Sequence, residues 1–215
     1  MLDCHCHILP GVDDGSDSFE ESAAMLQTAK ALGLTKIVAT PHMKEEPLNW
    51  PEVKEAYAAL KPVAAEQGIE LLLGCELYAP LLTDIGFDDL QQFCIEGTNR
   101  MLIEFHPAHL PDSLTAYFEK ILSRNIVPIL AHPERYGVVQ ENPAILKDIV
   151  DMGCWLEVNG RSIISNPLNK TSNTAKKILK LFPSAFFSSD AHNVKQYDGL
   201  LKAEKKYHRL RRDLP

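Results

Sequence analysis

No run in this sequence stays apolar for the roughly 20 residues a membrane-spanning helix needs, so no transmembrane segment is expected. Excess positive charge is missing as well. Lysines and arginines number 22 against 29 aspartates and glutamates, and the net charge of -7 argues against a general nucleic-acid or membrane-surface binder. An anionic substrate stays open, because bound metal ions reverse a local field. A disulfide framework is also lacking. Cys4, Cys6, Cys75, Cys94 and Cys154 are odd in number and irregular in spacing, which reads as reduced thiols in a cytoplasmic protein. The chain opens directly in a strand-like run, so no secretory leader is expected. Neither a repeat nor a low-complexity segment nor a linker divides the 215 residues, and one domain over 1–215 is the expectation.

What is present begins at that first run, Met1-Leu2-Asp3-Cys4-His5-Cys6-His7. Side chains on an extended strand alternate faces, so His5 and His7 point the same way and offer paired imidazoles to a divalent metal. The same alternation sets Cys4 and Cys6 on the opposite face, as buried thiols behind the strand rather than part of a zinc cluster. A loop bounded by Gly11 and Gly15 then brings Asp13 and Asp14, carboxylates suited to the same ions.

Farther on, Ser18-Phe19-Glu20-Glu21 is a capping-box pattern for a helix to about Leu32. The run 36–42 gives a short buried strand with His42 just past its end, and Asn49-Trp50-Pro51 opens a second helix to about Gly68. A third strand over 69–75 has Glu76 at its end, and the run 101–103 leads to Glu104. A helix from Asp112 or Ser113 to Arg124 precedes the strand 127–131, which ends in His132. A helix is expected over 142–152 and a strand over 155–158 ending at Asn159, followed by a polar loop over 159–172 near the site. The segment 171–181 is helical, 185–189 is a strand ending in Asp190 with His192 two residues on, and a last helix covers about 195–210.

Strands and helices alternate, and the strands are continuously apolar, which means a parallel sheet covered by helices. Seven strands are expected, and six of them end in a metal-capable side chain. A closed or nearly closed TIM-like (β/α)7 barrel fits better than an open sheet, because only a barrel brings all C-terminal strand ends round one mouth. The candidate ligands are His5, His7, Asp14, His42, Glu76, Glu104, His132, Asp190 and His192. A single histidine at a strand end is usually a hydrogen-bonded loop residue; the joint placement is the signal.

Charge bears on what such a site binds. Two divalent ions would balance the four carboxylates, and three would leave a surplus of about two positive charges, matching a phosphate dianion. The mixed imidazole and carboxylate set suits manganese, zinc or iron. A hydroxide bridging two ions would attack phosphorus. Arg135, three residues after His132, is placed to clamp a phosphate through paired hydrogen bonds; the plainer alternative is a surface ion pair with Glu134 or Glu141.

These residues carry a resemblance. His5-Cys6-His7-Ile8-Leu9-Pro10-Gly11 with Asp13-Asp14-Gly15, Ala39-Thr40-Pro41-His42, Ile103-Glu104-Phe105, Ala131-His132-Pro133-Glu134-Arg135-Tyr136 and Ser189-Asp190-Ala191-His192-Asn193 resemble the polymerase-and-histidinol-phosphatase (PHP) superfamily. Within it, the chain is similar to the bacterial protein-tyrosine phosphatases of capsule and exopolysaccharide synthesis, the CpsB/YwqE type. The resemblance implies a distorted PHP-type barrel and three metal ions per chain, manganese preferred. It implies a phosphoric monoester hydrolase acting on the phosphotyrosine-rich tail of a bacterial tyrosine kinase. All nine ligands carry over by motif, and Arg135 carries over as the phosphate-binding arginine. Two departures bear on substrate choice. Met43 follows His42 where the family commonly has a second histidine, and Lys195-Gln196-Tyr197 stand where it commonly has an arginine. Lys195 substitutes there only as a point charge. His106 shares the face of Glu104, as an extra ligand, a substrate contact or a hydrogen-bonding residue. Histidinol phosphate or another small phosphomonoester, and a weakly catalytic module that binds a phosphotyrosine tail, are the alternative functions.

One motif points elsewhere. Cys94 and Arg100 have the Cys-x5-Arg spacing of thiol-based tyrosine phosphatases, but the segment leads into a strand rather than a helix, and Glu96 would repel phosphate. Chance spacing is expected. His109 and His208 are expected to face solvent, and the basic stretch 202–212 to be a charged helix face.

Overall fold

Each expected strand is present in a computed structural model of the chain, which describes residues 1–44, 49–87, 89–108, 110–111 and 113–212. Two of the seven are broken, so among the described residues there are nine segments. They are β1 (Leu2–Cys6), β2 (Lys36–Ala39), β3 (His42–Met43), β4 (Glu70–Leu73), β5 (Glu76–Tyr78), β6 (Arg100–Glu104), β7 (Val127–Ala131), β8 (Trp155–Asn159) and β9 (Phe186–Ser188). One break falls at Pro41, which has no N–H for the ladder, and the other at Gly74-Cys75. Glu76 therefore opens a short strand of its own instead of ending the third.

All pairs are parallel, in the orders β1-β2-β4 and β3-β5-β6-β7-β8-β9. The chain just past β9 returns to β1: the Asp190 N–H donates to the His5 carbonyl, and the His7 N–H to the Ala191 carbonyl, both at 2.9 Å. Ser189 adds bonds from its N–H and hydroxyl to the Asp3 carboxylate, at 2.9 and 2.6 Å. Hydrogen bonding thus passes round all seven strand positions, in a distorted parallel α/β barrel.

Around it lie α1 (Phe19–Ala31), α2 (Trp50–Glu66), α3 (Leu81–Ile85), α4 (Leu114–Leu122), α5 (Gly137–Glu141), α6 (Lys147–Asp151), α7 (Gly160–Ile164), α8 (Lys170–Leu181) and α9 (Leu200–Arg212). The capping box before α1 forms in register at its Ser18 half, and its reciprocal half is displaced by one residue. Ser18 accepts from the Glu21 N–H at 3.2 Å, while the Glu21 carboxylate accepts from the Asp17 N–H at 3.1 Å. Ser113 caps α4; Asp112, the other expected start, lies outside the described residues, as does His109. His208 is exposed, as expected.

Three expected segments are corrected. The polar loop 159–172 contains α7, capped by the Asn159 side chain on the Arg161 N–H at 2.8 Å. The helix 142–152 divides into a 3-10 turn over Pro143–Leu146 and α6. The last helix does not start at Lys195: a 3-10 turn covers Val194–Tyr197, Gly199 takes φ 89°, and α9 starts at Leu200. Among the described residues no helix is long and apolar enough to cross a membrane.

Two apolar clusters hold the fold. The larger packs helices such as α1 and α8 on the outer faces of the strands; the smaller, Val38, Ile95, Leu102, Ile129 and Ala131, fills the lower barrel interior. β1 departs from strict alternation, because its pairing with β2 shifts register between Asp3 and Cys6. Cys6 lies behind the strand, its sulfur 3.0 Å from the Tyr197 hydroxyl, as expected. Cys4 does not: it is half-buried and lines the lower interior hollow with Val38 and Ile129.

Candidate metal centre

The nine candidate ligands meet at the C-terminal ends of the strands. Three groups have donor atoms lying within 4.8 Å of one another: His7, Asp14, His42 and His192; His5, His7, Glu76 and Asp190; and His42, Glu76 and Glu104. His132 joins through Glu76, its Nε2 standing 2.7 Å from Glu76 Oε1. Glu76 is the hub, also lying 3.2 Å from His5, 3.3 Å from His7 and 3.0 Å from His42.

Local backbone brings these groups in. His132 and Asp190 have φ of 32° and 49°, left-handed values that cost a non-glycine residue on the order of 1–3 kcal/mol each. Both sit where a strand ends and the side chain must turn over the mouth. Gly15 lets the aspartate loop descend onto β1: a Cβ there would come within 2.2 Å of the His7 carbonyl oxygen.

An outer layer fixes the imidazoles. His7 Nδ1 is 2.7 Å from Asp13 Oδ2, which also accepts from the His42 N–H at 2.9 Å. His5 Nδ1 is 3.2 Å from Glu157 Oε2. Carboxylates behind histidines set their tautomers, leaving Nε2 as the ligand atom. The Nε2 atoms of His5 and His7 then face each other at 3.1 Å, two lone pairs in opposition unless a positive charge stands between them. His42 Nδ1 is buried 3.1 Å from Glu104 Oε1 and makes no hydrogen bond among the described residues. Hard oxygen and imidazole donors aimed at common points fit divalent cations.

The electrostatics agree. Burial opposes charge on His5, but Glu76, Asp190 and Glu157 outweigh it and lift its pKa well above the usual imidazole range. His7 is lifted in the same way, against burial, by Asp13, Asp190 and Glu76. Burial would raise Glu76 and Asp190, yet the neighbouring imidazoles hold both well below the usual carboxylate range. Asp13, against its burial, falls to about 2 beside His7. Such a field seats positive charge.

The site opens on one side. The side chains of His5, His7 and Glu76 are 0% exposed, His42 and His192 are 12% and 19%, and Asp14 is 71% exposed. Arg135 stands beside that opening and pairs with Asp190 Oδ2 instead of Glu134 or Glu141. Asn159 Nδ2 donates to the same oxygen at 2.7 Å. Lys44 reaches Glu104 Oε1 at 3.2 Å.

The family model for capsular polysaccharide synthesis, CpsB/CapC, matches residues 1–211. The chain belongs to the CpsB/CapC family. Among CpsB/CapC relatives, the tyrosine-protein phosphatase YwqE of Bacillus subtilis (strain 168) is 31% identical over 204 residues, covering 91% of this chain and 78% of that protein. The tyrosine-protein phosphatase CpsB of a serotype V Streptococcus agalactiae is 28% identical over 205 residues, covering 90% and 84%. A crystal structure from work on YwqE of Bacillus subtilis and CpsB of Streptococcus pneumoniae, described as metal-dependent tyrosine phosphatases, matches with a TM-score of 0.78. It is 26% identical, over 99% of this chain and 92% of that one. The fold extends further, to a lactonase from Listeria monocytogenes at a TM-score of 0.55 and 14% identity, covering 99% and 91%.

Within this CpsB/CapC chain, two expected contacts stand apart from the metal groups. Lys195 is exposed on the 3-10 turn, and His106 is exposed with its Nδ1 accepting from the Ala108 N–H at 3.2 Å. Met43, where a second histidine is common, is buried in the core. Sequence reasoning gave no role to Glu157, Asn159 or Lys44 and none beyond metal affinity to Asp13. A signal existed for Glu157: a lone acid inside the apolar run Trp155-Leu156-Glu157-Val158 is rarely buried without a partner.

Proposed function

We propose that this chain is a metal-dependent protein-tyrosine phosphatase that hydrolyses phosphotyrosine on the tail of a bacterial tyrosine kinase controlling polysaccharide export. The observation that carries this is the convergence of nine imidazole and carboxylate donors from six of the seven strand positions, with Arg135 at the open side. The relatives' activity agrees. The ligands are His5, His7, Asp14, His42, Glu76, Glu104, His132, Asp190 and His192, holding three divalent ions, manganese by preference, with iron or zinc suited to the same donors. When bound, such ions polarise phosphate oxygens and acidify water at neutral pH.

The chain's own residues supply the rest. Asp13 and Glu157 orient His7 and His5. Arg135 presents a planar donor pair to the phosphate and balances charge developing on it. With Asp13 and Glu157 included, six carboxylates surround the site. Three divalent ions balance these, and Arg135 and Lys44 provide the positive surplus that a phosphate dianion needs. One catalytic unit spans the chain, and its five cysteines, with no disulfide among them, suit a reducing cytoplasm.

Elemental analysis beside a phosphatase panel tests this. A phosphotyrosyl kinase-tail peptide should be preferred, and a chelator should abolish turnover. Preference for histidinol phosphate would assign the site to small phosphomonoesters instead. Arg135→Ala should lower kcat by roughly 100-fold while retaining metal; loss of metal would make its role structural.

A further inference from the structure

A second hollow, of about 310 Å³, lies beside the metal centre, and its wall includes Arg135, Asn159, Arg161, Ser165, Thr171 and Ser172. Among the described residues, none of the nine ligands lines it, and neither does any carboxylate. That is a reversal of sign beside a carboxylate-rich site on a chain of net charge -7. We propose that the hollow is a second anion-binding subsite, which takes a phosphate or carboxylate carried by the substrate next to the phosphotyrosine being cleaved, with Arg161 as its main contact. This rests on the phosphatase reading above.

The wall shared by the two sites supports it. Arg135 and Asn159 line the hollow and both bond Asp190 Oδ2, so an anion there lies one side chain away from the reacting phosphate. The two arginines are not equivalent. Arg135 is paired with Asp190, whereas the exposed Arg161 guanidinium has no acceptor among the described residues. Its backbone is held in place by Asn159, whose Oδ1 accepts the Arg161 N–H at 2.8 Å. The surrounding hydroxyls brace the wall. Ser165 donates to the Arg161 carbonyl at 2.6 Å, Ser172 donates to the Ser165 carbonyl at 3.2 Å, and Thr171 accepts from Gln140 at 3.2 Å. A guanidinium fork on an anchored backbone, with no acceptor among the described residues, matches the geometry of a phosphate or carboxylate.

The test uses three peptides, each carrying one phosphotyrosine beside a second phosphotyrosine, a glutamate or a glutamine. Each is made in a hydrolysable form and as a non-hydrolysable phosphonate. Binding of the phosphonates to the manganese-loaded protein, read by fluorescence anisotropy, should favour either doubly anionic peptide over the glutamine peptide by roughly tenfold. Arg161→Gln should remove that preference and Arg161→Lys should keep part of it, with metal content monitored throughout. A gain from the second phosphotyrosine alone would fix the group as phosphate; a gain from glutamate too would fix it as any acidic side chain. Equal binding of all three peptides by the wild type, or a preference that survives Arg161→Gln, overturns the subsite. Binding that follows Arg161 with no hydrolysis of any peptide would overturn the phosphatase reading and leave the subsite standing.

Discussion

At the C-terminal ends of the strands the barrel interior is filled by imidazoles and carboxylates. At the N-terminal ends it holds Val38, Leu102 and Ile129 above a hollow of about 470 Å³ walled by residues such as Leu2, Trp155 and Phe186. Single strands cross from one regime to the other. The inward face of β8 reads Trp155, Glu157, Asn159, and that of β6 reads Arg100, Leu102, Glu104. Even the charge at the lower end behaves differently, since the Arg100 guanidinium lies over the Trp155 ring at 4.2 Å and pairs with no carboxylate among the described residues. In β6 and β8 the period-two rule governs both ends, so what differs is the source of stability. Apolar side chains are stable in a barrel by themselves, whereas buried charges need partners or cations. Substitutions above should therefore cost metal and turnover, and substitutions below should cost stability.

The largest effect is expected at the hub. Glu76→Gln removes a carboxylate within 3.3 Å of His5, His7, His42 and His132. Metal content should fall, and turnover should drop by more than the ~10–100-fold typical of outer-layer substitutions. A variant that kept its full metal complement would break the contrast between the two ends at its strongest point. Next comes Glu157→Gln, in β8 and one layer behind the ligands. It weakens the hold on His5 Nδ1 without removing a ligand. A loss of ~10–100-fold in metal affinity is expected by titration. An unchanged affinity would place Glu157 with the lower, structural half.

How far the sequence discloses this division differs between residues. The strand-end ligands were legible because two-residue alternation and a run of apolar residues fix where a strand stops. The barrel followed from requiring those ends to meet. Hidden from the sequence were events of backbone geometry. The register shift in β1 turns Cys4 into the lower hollow, and the left-handed turns at His132 and Asp190 depend on tertiary packing. Other misses had readable signals. Gly199 divides the C-terminal segment, and Asn159 is an N-cap residue whose helix is only five residues long, too short for a periodic pattern.

A smaller effect on chemistry is expected below. Ile129 is buried in the inner cluster and borders the lower hollow. Ile129→Ala should cost about 2 kcal/mol in urea unfolding, the low end of the usual range because part of its surroundings is already open. Metal content per folded chain should not change. A loss of metal comparable to that in Glu76→Gln would show that the two ends are mechanically coupled.

The smallest effect is expected at Cys94, where the thiol-phosphatase spacing invites a different chemistry. The three groups that this chemistry would gather are committed elsewhere. The Cys94 sulfur is buried in the main core, 3.8 Å from the Leu90 carbonyl oxygen. Glu96 takes hydrogen bonds from Tyr57, Lys61 and the Leu73 N–H. Arg100 lies over Trp155 at the lower end. Burial pushes the Cys94 thiol up to about 11, so almost none is thiolate at neutral pH, and the thiolate is the nucleophile. Cys94→Ser should therefore leave kcat/KM on a phosphotyrosyl peptide within about twofold, since a hydroxyl replaces a thiol far from the reacting phosphate. If turnover collapsed while metal content held, the nucleophile would lie outside the metal centre, and the division between a chemical upper end and a structural lower end would fail.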